Sequence, residues 1–465
     1  MSFKLSMREG FARMFSKPIF QVVDPVVKIG HIQKGNNVIF GRELKDGDTS
    51  NLLYLGKVIE SSTSTSILDA DVWLDTTFPH VIYITGTRGS GKSFDLGVIL
   101  EGISSLNSAS TIQNDVKTHT SIMVDTQSQF WTLGYEPQGH IKENQIQLEE
   151  LEKWNIPPNS LNKLKLYAPQ SQSNSVEGVM SLTIKPRDVT VDDWCSLFDQ
   201  DLYGPQGYIL SEIINGLSGR NYSIDDMISF ASDDANFLTV STNSRDAVIY
   251  KLRNYDNSGL FSTEGIEIHD LLSPNYCHLL MLRELSNADK SLITAIVARK
   301  LFTIMGQHHT AKKMDLFHQR NEYQSDLPDK VWLLIDEAHV VAPKDETSPA
   351  RDALTEYVKR GRDAGLSLVM ATQQPAAVDD KILSQVNLAI NHRLTFQTDI
   401  SAATSRLPTK SIKEMKVGGQ SLKDFSDMIR LLDAGECFVS DHHTSRSIGV
   451  KIRPRVTAHG GYSPI

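Results

Sequence analysis

The 465-residue chain predicts an α/β fold: a mainly parallel sheet with helices on both faces, a small β-rich region before it and an inserted helical bundle. Three observations carry this expectation. Short apolar runs (VIYIT, SIMVD, YCHLLMLREL, VWLLID, SLVMAT) alternate with helix-like segments, and near-continuous apolar strands belong to sheets buried on both faces. The stretch VIYITGTRGSGKSFDLG sets a glycine-rich loop between one such strand and a helix. From about residue 185 to 262 the apolar spacing turns helical, with Asp-rich starts.

In chain order, MSFKLSMREGFARMFSKPIF is weakly amphipathic and lacks the apolar core of a signal peptide, so it reads as a packing or partner-docking helix. Residues 20–78 hold short apolar runs broken by Gly, Asn and Asp, the pattern of a small barrel or sheet. Residues 81–85 form the first strand of the main domain, Lys92 to about Leu106 a helix, and 121–125 a second buried strand. A long helix is expected from Ala288 to about Met305, followed by a polar segment. The division is 1–78 for the N-terminal segment and β-rich domain, 79–184 for the first part of the core, 185–265 for the bundle, and 266–465 for the second part with a C-terminal extension.

With 40% hydrophobic residues the chain can build a large core, roughly two or three domains. A net charge of −9 excludes a surface basic all over, but not a locally basic channel. Cys195, Cys277 and Cys437 fit neither a zinc spacing nor a disulfide framework, which points to a reducing cytoplasm. No segment reaches the ~18 apolar residues of a membrane span.

Gly86, Gly91, Lys92 and Ser93 satisfy the phosphate-loop pattern, and Gly86, Thr87, Arg88, Gly89, Ser90, Gly91, Lys92, Ser93 and Phe94 form the candidate nucleotide-binding run. Glycines let backbone N–H groups curl round phosphate oxygens, Lys92 can reach the β and γ phosphates, and the Ser93 hydroxyl can ligate Mg²⁺. In LLIDEAH, Asp336 ends an apolar strand where its carboxylate can hold the Mg²⁺ shell. Glu337 is placed to polarise an attacking water. Adjacent Asp and Glu favour an ATPase over a GTPase switch. Thr372 and Gln373 stand at another strand's carboxyl end, either to sense a γ-phosphate and position water or as ordinary strand-end residues. Asp125 has two readings, metal or water positioning and simple strand-end solvation.

In KRGRDAGLS, Lys359, Arg360 and Arg362 suit either a solvated helix end or a finger inserted into a neighbouring subunit's ATP site, with Arg362 ahead of Arg360 and with Arg393 and Arg406 as weaker candidates. The cluster His308, His309, Lys312, Lys313, His318 and Arg320 reads as a polyanion-facing patch or a solvated linker. His339 has no second His at metal spacing and suits a coupling role.

Taken together, TGTRGSGKS followed by DLG, an Asp-terminated second strand, the helical insertion, LLIDEAH, GRDAGLSLVMATQQP and RPRVTAHGG resemble HerA-type ATPases of the HerA/FtsK superfamily, over about residues 50–461. The resemblance implies a P-loop NTPase with a RecA-like core, assembled as a hexameric ring that threads duplex DNA, with an N-terminal barrel. It implies ATP and Mg²⁺ as ligands, with Lys92, Ser93, Asp336, Glu337 and Gln373 as the ATP machinery, Asp125 as the second-strand acid and Arg362 as the trans-acting arginine. It also implies a separately encoded effector, a nuclease or a sirtuin-like NAD-consuming subunit, in DNA processing or antiphage defence. The alternative is an ATP-gated ring scaffold that activates an effector without moving DNA.

Overall fold

The computed structural model describes residues 20–23, 32–34, 36–42, 49–62, 68–169, 176–237, 240–320, 322–405, 414–417, 420–441 and 447–460. The predicted N-terminal helix and Arg406 lie outside them.

Among the described residues the parallel part of the sheet holds a short edge strand, Val179–Ser181, paired with β3, and seven further strands: β1 Val81–Thr85, β2 Thr120–Asp125, β3 Leu164–Ala168, β4 Cys277–Met281, β5 Val331–Ile335, β6 Leu366–Thr372 and β7 Leu388–Asn391. Their spatial order is β3-β4-β2-β5-β6-β1-β7. β1, β2 and β4 to β7 are buried almost throughout because both faces are covered. Side chains alternate between two cores. Ile82, Ile84 and Met123 enter one with helix α1 (Lys92–Ile103), while Tyr83, Ile122 and Val124 enter the other.

Beyond β7 the sheet turns antiparallel through β8 Glu436–Asp441 and β9 Ile448–Ile452. β9 then pairs with Leu52–Val58, which continues the sheet into Asp71–Asp75 and Asn37–Phe40. These strands from the first 78 residues thus hydrogen-bond into the main sheet through the C-terminal strand.

The segment after β3 forms four helices, α2 Val191–Phe198, α3 Pro205–Leu217, α4 Ile224–Ser232 and α5 Thr242–Asp256. Its Asp-rich starts are capping boxes: Thr190 with Asp193, and Ser223 with Asp226. Trp194 is fully buried, stacked on Phe261 at 5.2 Å.

Helix α6 spans Asn287–Phe317, well past the Met305 expected. The sequence loses apolar periodicity there because the last turns project into solvent. Ala311, Lys312, Lys313, Met314 and Leu316 nonetheless favour helix, and no proline stops it. His308 and His309 therefore belong to a helix, with His308 Nδ1 3.1 Å from the Tyr323 hydroxyl. Helix α7 (Pro349–Arg360) packs beside α6.

After β9 the chain runs back along α1. Arg453 and Arg455 are fully buried on Glu101, which is itself fully buried. Arg453 Nη1 donates to Glu101 Oε2 at 2.7 Å, Arg455 Nε lies 3.6 Å from Oε1, and the Thr457 N–H donates to Oε1 at 3.0 Å. Replacing Glu101 by Ala removes the carboxylate that neutralises two buried guanidinium groups, which keep their neutral acceptors. Chemical denaturation of E101A should show a loss of about 3–5 kcal/mol; a loss below about 1 kcal/mol would mean that water reaches the pair.

Candidate nucleotide site

The parallel arrangement brings four strand ends to one edge. β1 runs into the glycine loop, β5 into Asp336 and Glu337, β2 ends at Asp125, and β6 ends at Thr372. β6 lies between β1 and β5, so Gln373 sits between the phosphate loop and the acidic pair.

The loop is tightly held. A side chain at Gly86 would lie 2.4 Å from Ser90 Oγ and 2.7 Å from His392 Cβ, and Gly91 has φ +129°, so both positions need glycine. The Thr87 N–H donates to the Arg393 carbonyl at 2.9 Å and Ser90 Oγ donates to the Thr87 carbonyl at 2.8 Å. Lys92 Nζ donates to the same Thr87 carbonyl at 2.8 Å and is 5% exposed. Burial pulls its pKa below the ordinary lysine value, with the charges of Glu337, Asp336 and Asp95 opposing that fall.

Asp336 is buried, and its Oδ1 has no hydrogen-bond partner among the described residues. Burial raises its pKa well above the usual carboxylate range, and the charges of Asp125 and Glu337 push the same way. A buried carboxylate oxygen without a partner, one residue from Glu337 and facing the lysine of a phosphate loop, fits a divalent cation. Ser93 stands in the first turn of α1 on the other side.

Glu337 has φ +53°, a left-handed conformation that a residue with a side chain enters at a cost of about 1–3 kcal/mol. Its carboxylate accepts from both the side-chain amide and the backbone N–H of Gln373, the latter at 3.2 Å. His339 Nδ1 lies 3.3 Å from Glu337 Oε2 and 3.0 Å from Thr372 Oγ1, and burial lowers the pKa of this imidazole. Asp125 is fully buried. Its carboxylate accepts from the N–H groups of Gln127 (3.2 Å) and Phe130 (2.8 Å), so it braces the loop after β2, while burial pushes its pKa up to about 6.

Arg88 is exposed on the loop, and Phe94 is half-buried in the first turn of α1. Arg360 and Arg362 lie at the opposite, amino end of β6, about 20 Å away along a seven-residue strand. They do not meet this chain's own phosphate loop. Arg360 stacks over Phe302 at 5.3 Å and pairs with Glu356 at 3.5 Å. Arg362 is exposed and its side chain has no hydrogen bond or ion pair among the described residues. It lines a cleft of about 450 Å³ with Lys359, His80 and Asn387, at the far edge from the phosphate loop.

Sequence reasoning missed the floor of the loop. Fully buried His392, just after β7, lies 2.7 Å from Asp95 Oδ2 through Nε2 and 2.9 Å from the Glu436 carbonyl through Nδ1. No motif marks these residues, since the contact joins positions 95 and 392.

The family model for the helicase HerA central domain matches residues 53–301, more than half of the chain. The chain belongs to the HerA helicase family. Among curated relatives it is 25% identical over 155 residues to the DNA double-strand break repair helicase HerA of Sulfolobus acidocaldarius, covering 33% of this chain and 28% of that one. It is 25% identical over 203 residues to the HerA of Pyrococcus furiosus, covering 40% and 34%. The chain thus spans about a third of the length of the curated HerA relatives it matches. Among solved structures, VirB4 of Thermoanaerobacter pseudethanolicus aligns over 87% of this chain and 97% of its own, at 15% identity and TM-score 0.49. The family-model match ends at residue 301, before Asp336, Glu337 and Gln373, whose association with the phosphate loop is seen in this chain's own geometry.

Because the pKa of Asp336 is raised in the folded state, its ionisation costs stability as pH rises above the unfolded carboxylate value of about 4. Without nucleotide or metal, D336N should melt higher than the wild type at pH 7.5, on the order of 1–2 °C. The gap should close toward pH 4, where the wild-type acid is neutral. Thermal melts across this range check the sign; a variant that melts lower at pH 7.5 contradicts it.

Proposed function

We propose that the chain is an ATP-hydrolysing, HerA-type DNA translocase that works as a hexameric ring. The observation that carries this reading is the position of Glu337: a carboxylate fixed by two Gln373 donors, beside buried Lys92 at the mouth of the phosphate loop.

ATP would lie along Gly86 to Phe94, and Lys92 would exchange its Thr87 carbonyl for the β and γ phosphates. Ser93 and Asp336 would hold Mg²⁺, which neutralises phosphate charge when bound. Glu337 takes a proton from the attacking water. Gln373 orients Glu337 and faces the same water, and His339 joins Glu337 to Thr372 at the end of β6. Asp125, already bonded to its own loop, positions the second strand end.

Arg362 suits the arginine supplied by a neighbouring copy, since it is exposed, unengaged among the described residues and remote from its own loop. Arg360 is occupied by Phe302 and Glu356. The names of the curated relatives point to DNA as the substrate, and duplex DNA is proposed here. A separately encoded nuclease or NAD-consuming effector, acting in DNA processing or antiphage defence, completes the reading.

One observation favours the scaffold alternative. Residues 185–265 carry 13 acidic and 6 basic side chains, so the bundle holds most of the chain's −9 and suits a protein partner rather than DNA.

ATP turnover with and without duplex DNA tests both readings. Stimulation by DNA supports the translocase; indifference to it, with turnover intact, supports the scaffold. E337Q should lose at least about 100-fold in kcat while still binding ATP, and full turnover would remove the proposed base. R362A alone should lose ~10³-fold, as expected for an arginine finger. Mixing inactive R362A with inactive K92A should restore measurable turnover, because some boundaries then pair an intact loop with an intact arginine; no recovery means Arg362 does not act across subunits.

A further inference from the structure

The C-terminal strap does more than brace α1. Phe94, Gly97 and Glu101 are spaced i, i+3 and i+7 and form one stripe on that helix. Residues 453–459 run antiparallel along it. Arg453 and Arg455 sit on Glu101, and Arg455 packs so closely on Gly97 that a Cβ there would lie 2.5 Å from Nε. His459 reaches Phe94, with ring centroids 5.5 Å apart at 63°. The strap therefore delivers an imidazole to the first turn of α1, beside the opening of the phosphate loop.

The state of that imidazole follows from its neighbour. Arg455 Nη1 lies 3.3 Å from His459 Nδ1. A guanidinium can only donate, so Nδ1 accepts and the ring proton resides on Nε2. Burial, reinforced by the Arg455 charge, lowers the His459 pKa to about 4, so the ring is neutral near pH 7. Its Nε2–H has no hydrogen-bond partner among the described residues.

Backbone N–H groups of a phosphate loop cradle the α and β phosphates, so the nucleoside leaves the loop past Ser93 and Phe94. We propose that Phe94 and His459 form the nucleoside subsite. The Phe94 ring packs against the base or sugar, and His459 Nε2–H donates to an acceptor nitrogen on a purine edge. An apolar wall with one placed donor is the usual composition of such a subsite. Arg455 acts through His459, as a positioning residue that fixes the tautomer. This inference rests on the nucleotide reading of the loop and adds the group that tells a nucleoside triphosphate from a bare triphosphate.

Calorimetric titration of the full chain with a non-hydrolysable ATP analogue and with inorganic tripolyphosphate tests it. His459→Ala should weaken the analogue about tenfold and leave tripolyphosphate within about twofold, as expected for losing one hydrogen bond and a ring contact. His459→Gln, which keeps an N–H donor, should recover most of the loss. Unchanged affinity for the analogue in His459→Ala, or equal weakening of both ligands, overturns the subsite and leaves the phosphate loop standing. Lys92→Ala should weaken both ligands together; a wild type that binds neither overturns the nucleotide reading beneath the inference.

Discussion

A lysine ammonium buried among carboxylates at the carboxyl edge of a parallel sheet is the constraint on which the rest of this structure depends. Lys92, Asp95, Asp336 and Glu337 share a region almost closed to water, where charge is costly unless paired. Pairing is incomplete here. Asp336 keeps an unpartnered oxygen, and its ionisation is opposed by two acidic neighbours. The folded chain thus carries a deficit of positive charge and of hydrogen-bond donors at this edge, which a divalent cation with its bound waters would supply. Such a site is held in place by the surrounding fold at the expense of its own stability.

Three long-range devices supply that hold. His392 fills the space beneath Gly86 and Gly91 and grips Asp95. The Gln373 amide and N–H fix a Glu337 whose backbone is in a left-handed conformation. The strap buries two arginines on Glu101 and fastens the far end of α1. Each joins segments distant in sequence: Gln373 reaches Glu337 because β6 lies beside β5, and His392 reaches the loop because β7 lies beside β1.

That dependence explains what could be read from the sequence. The phosphate loop, the acidic strand end and the Asp-rich helix starts are local: their chemistry depends on neighbours within a few residues, and the spacing shows it. The pairing of β9 with Leu52–Val58 is not local, so nothing in residues 50–78 alone indicated that these strands join the main sheet. Helix α6 outruns its apolar pattern for a different reason. Apolar periodicity reports burial, and its last turns are exposed, with Phe317 at 85%. A lone histidine carries no spacing signal, so the sequence does not single out His392 or His459. What gives them meaning is Asp95 and Arg455, reached only through the fold.

The placement of Arg362 bears on assembly. The phosphate loop and this arginine occupy opposite ends of the strands of one sheet. If Arg362 completes an ATP site, the contact must join the carboxyl edge of one copy to the amino edge of the next. A two-fold contact sets a patch against the same patch and, when centred on either edge, cannot make that join. A head-to-tail contact makes it at every boundary, and such contacts end either in a closed ring or in an open filament. A site split in this way would call for a head-to-tail assembly, and the rotation between successive copies would decide whether it closes. In such an assembly a change at one nucleotide site would reach the neighbour through Arg362 at the amino end of its β6.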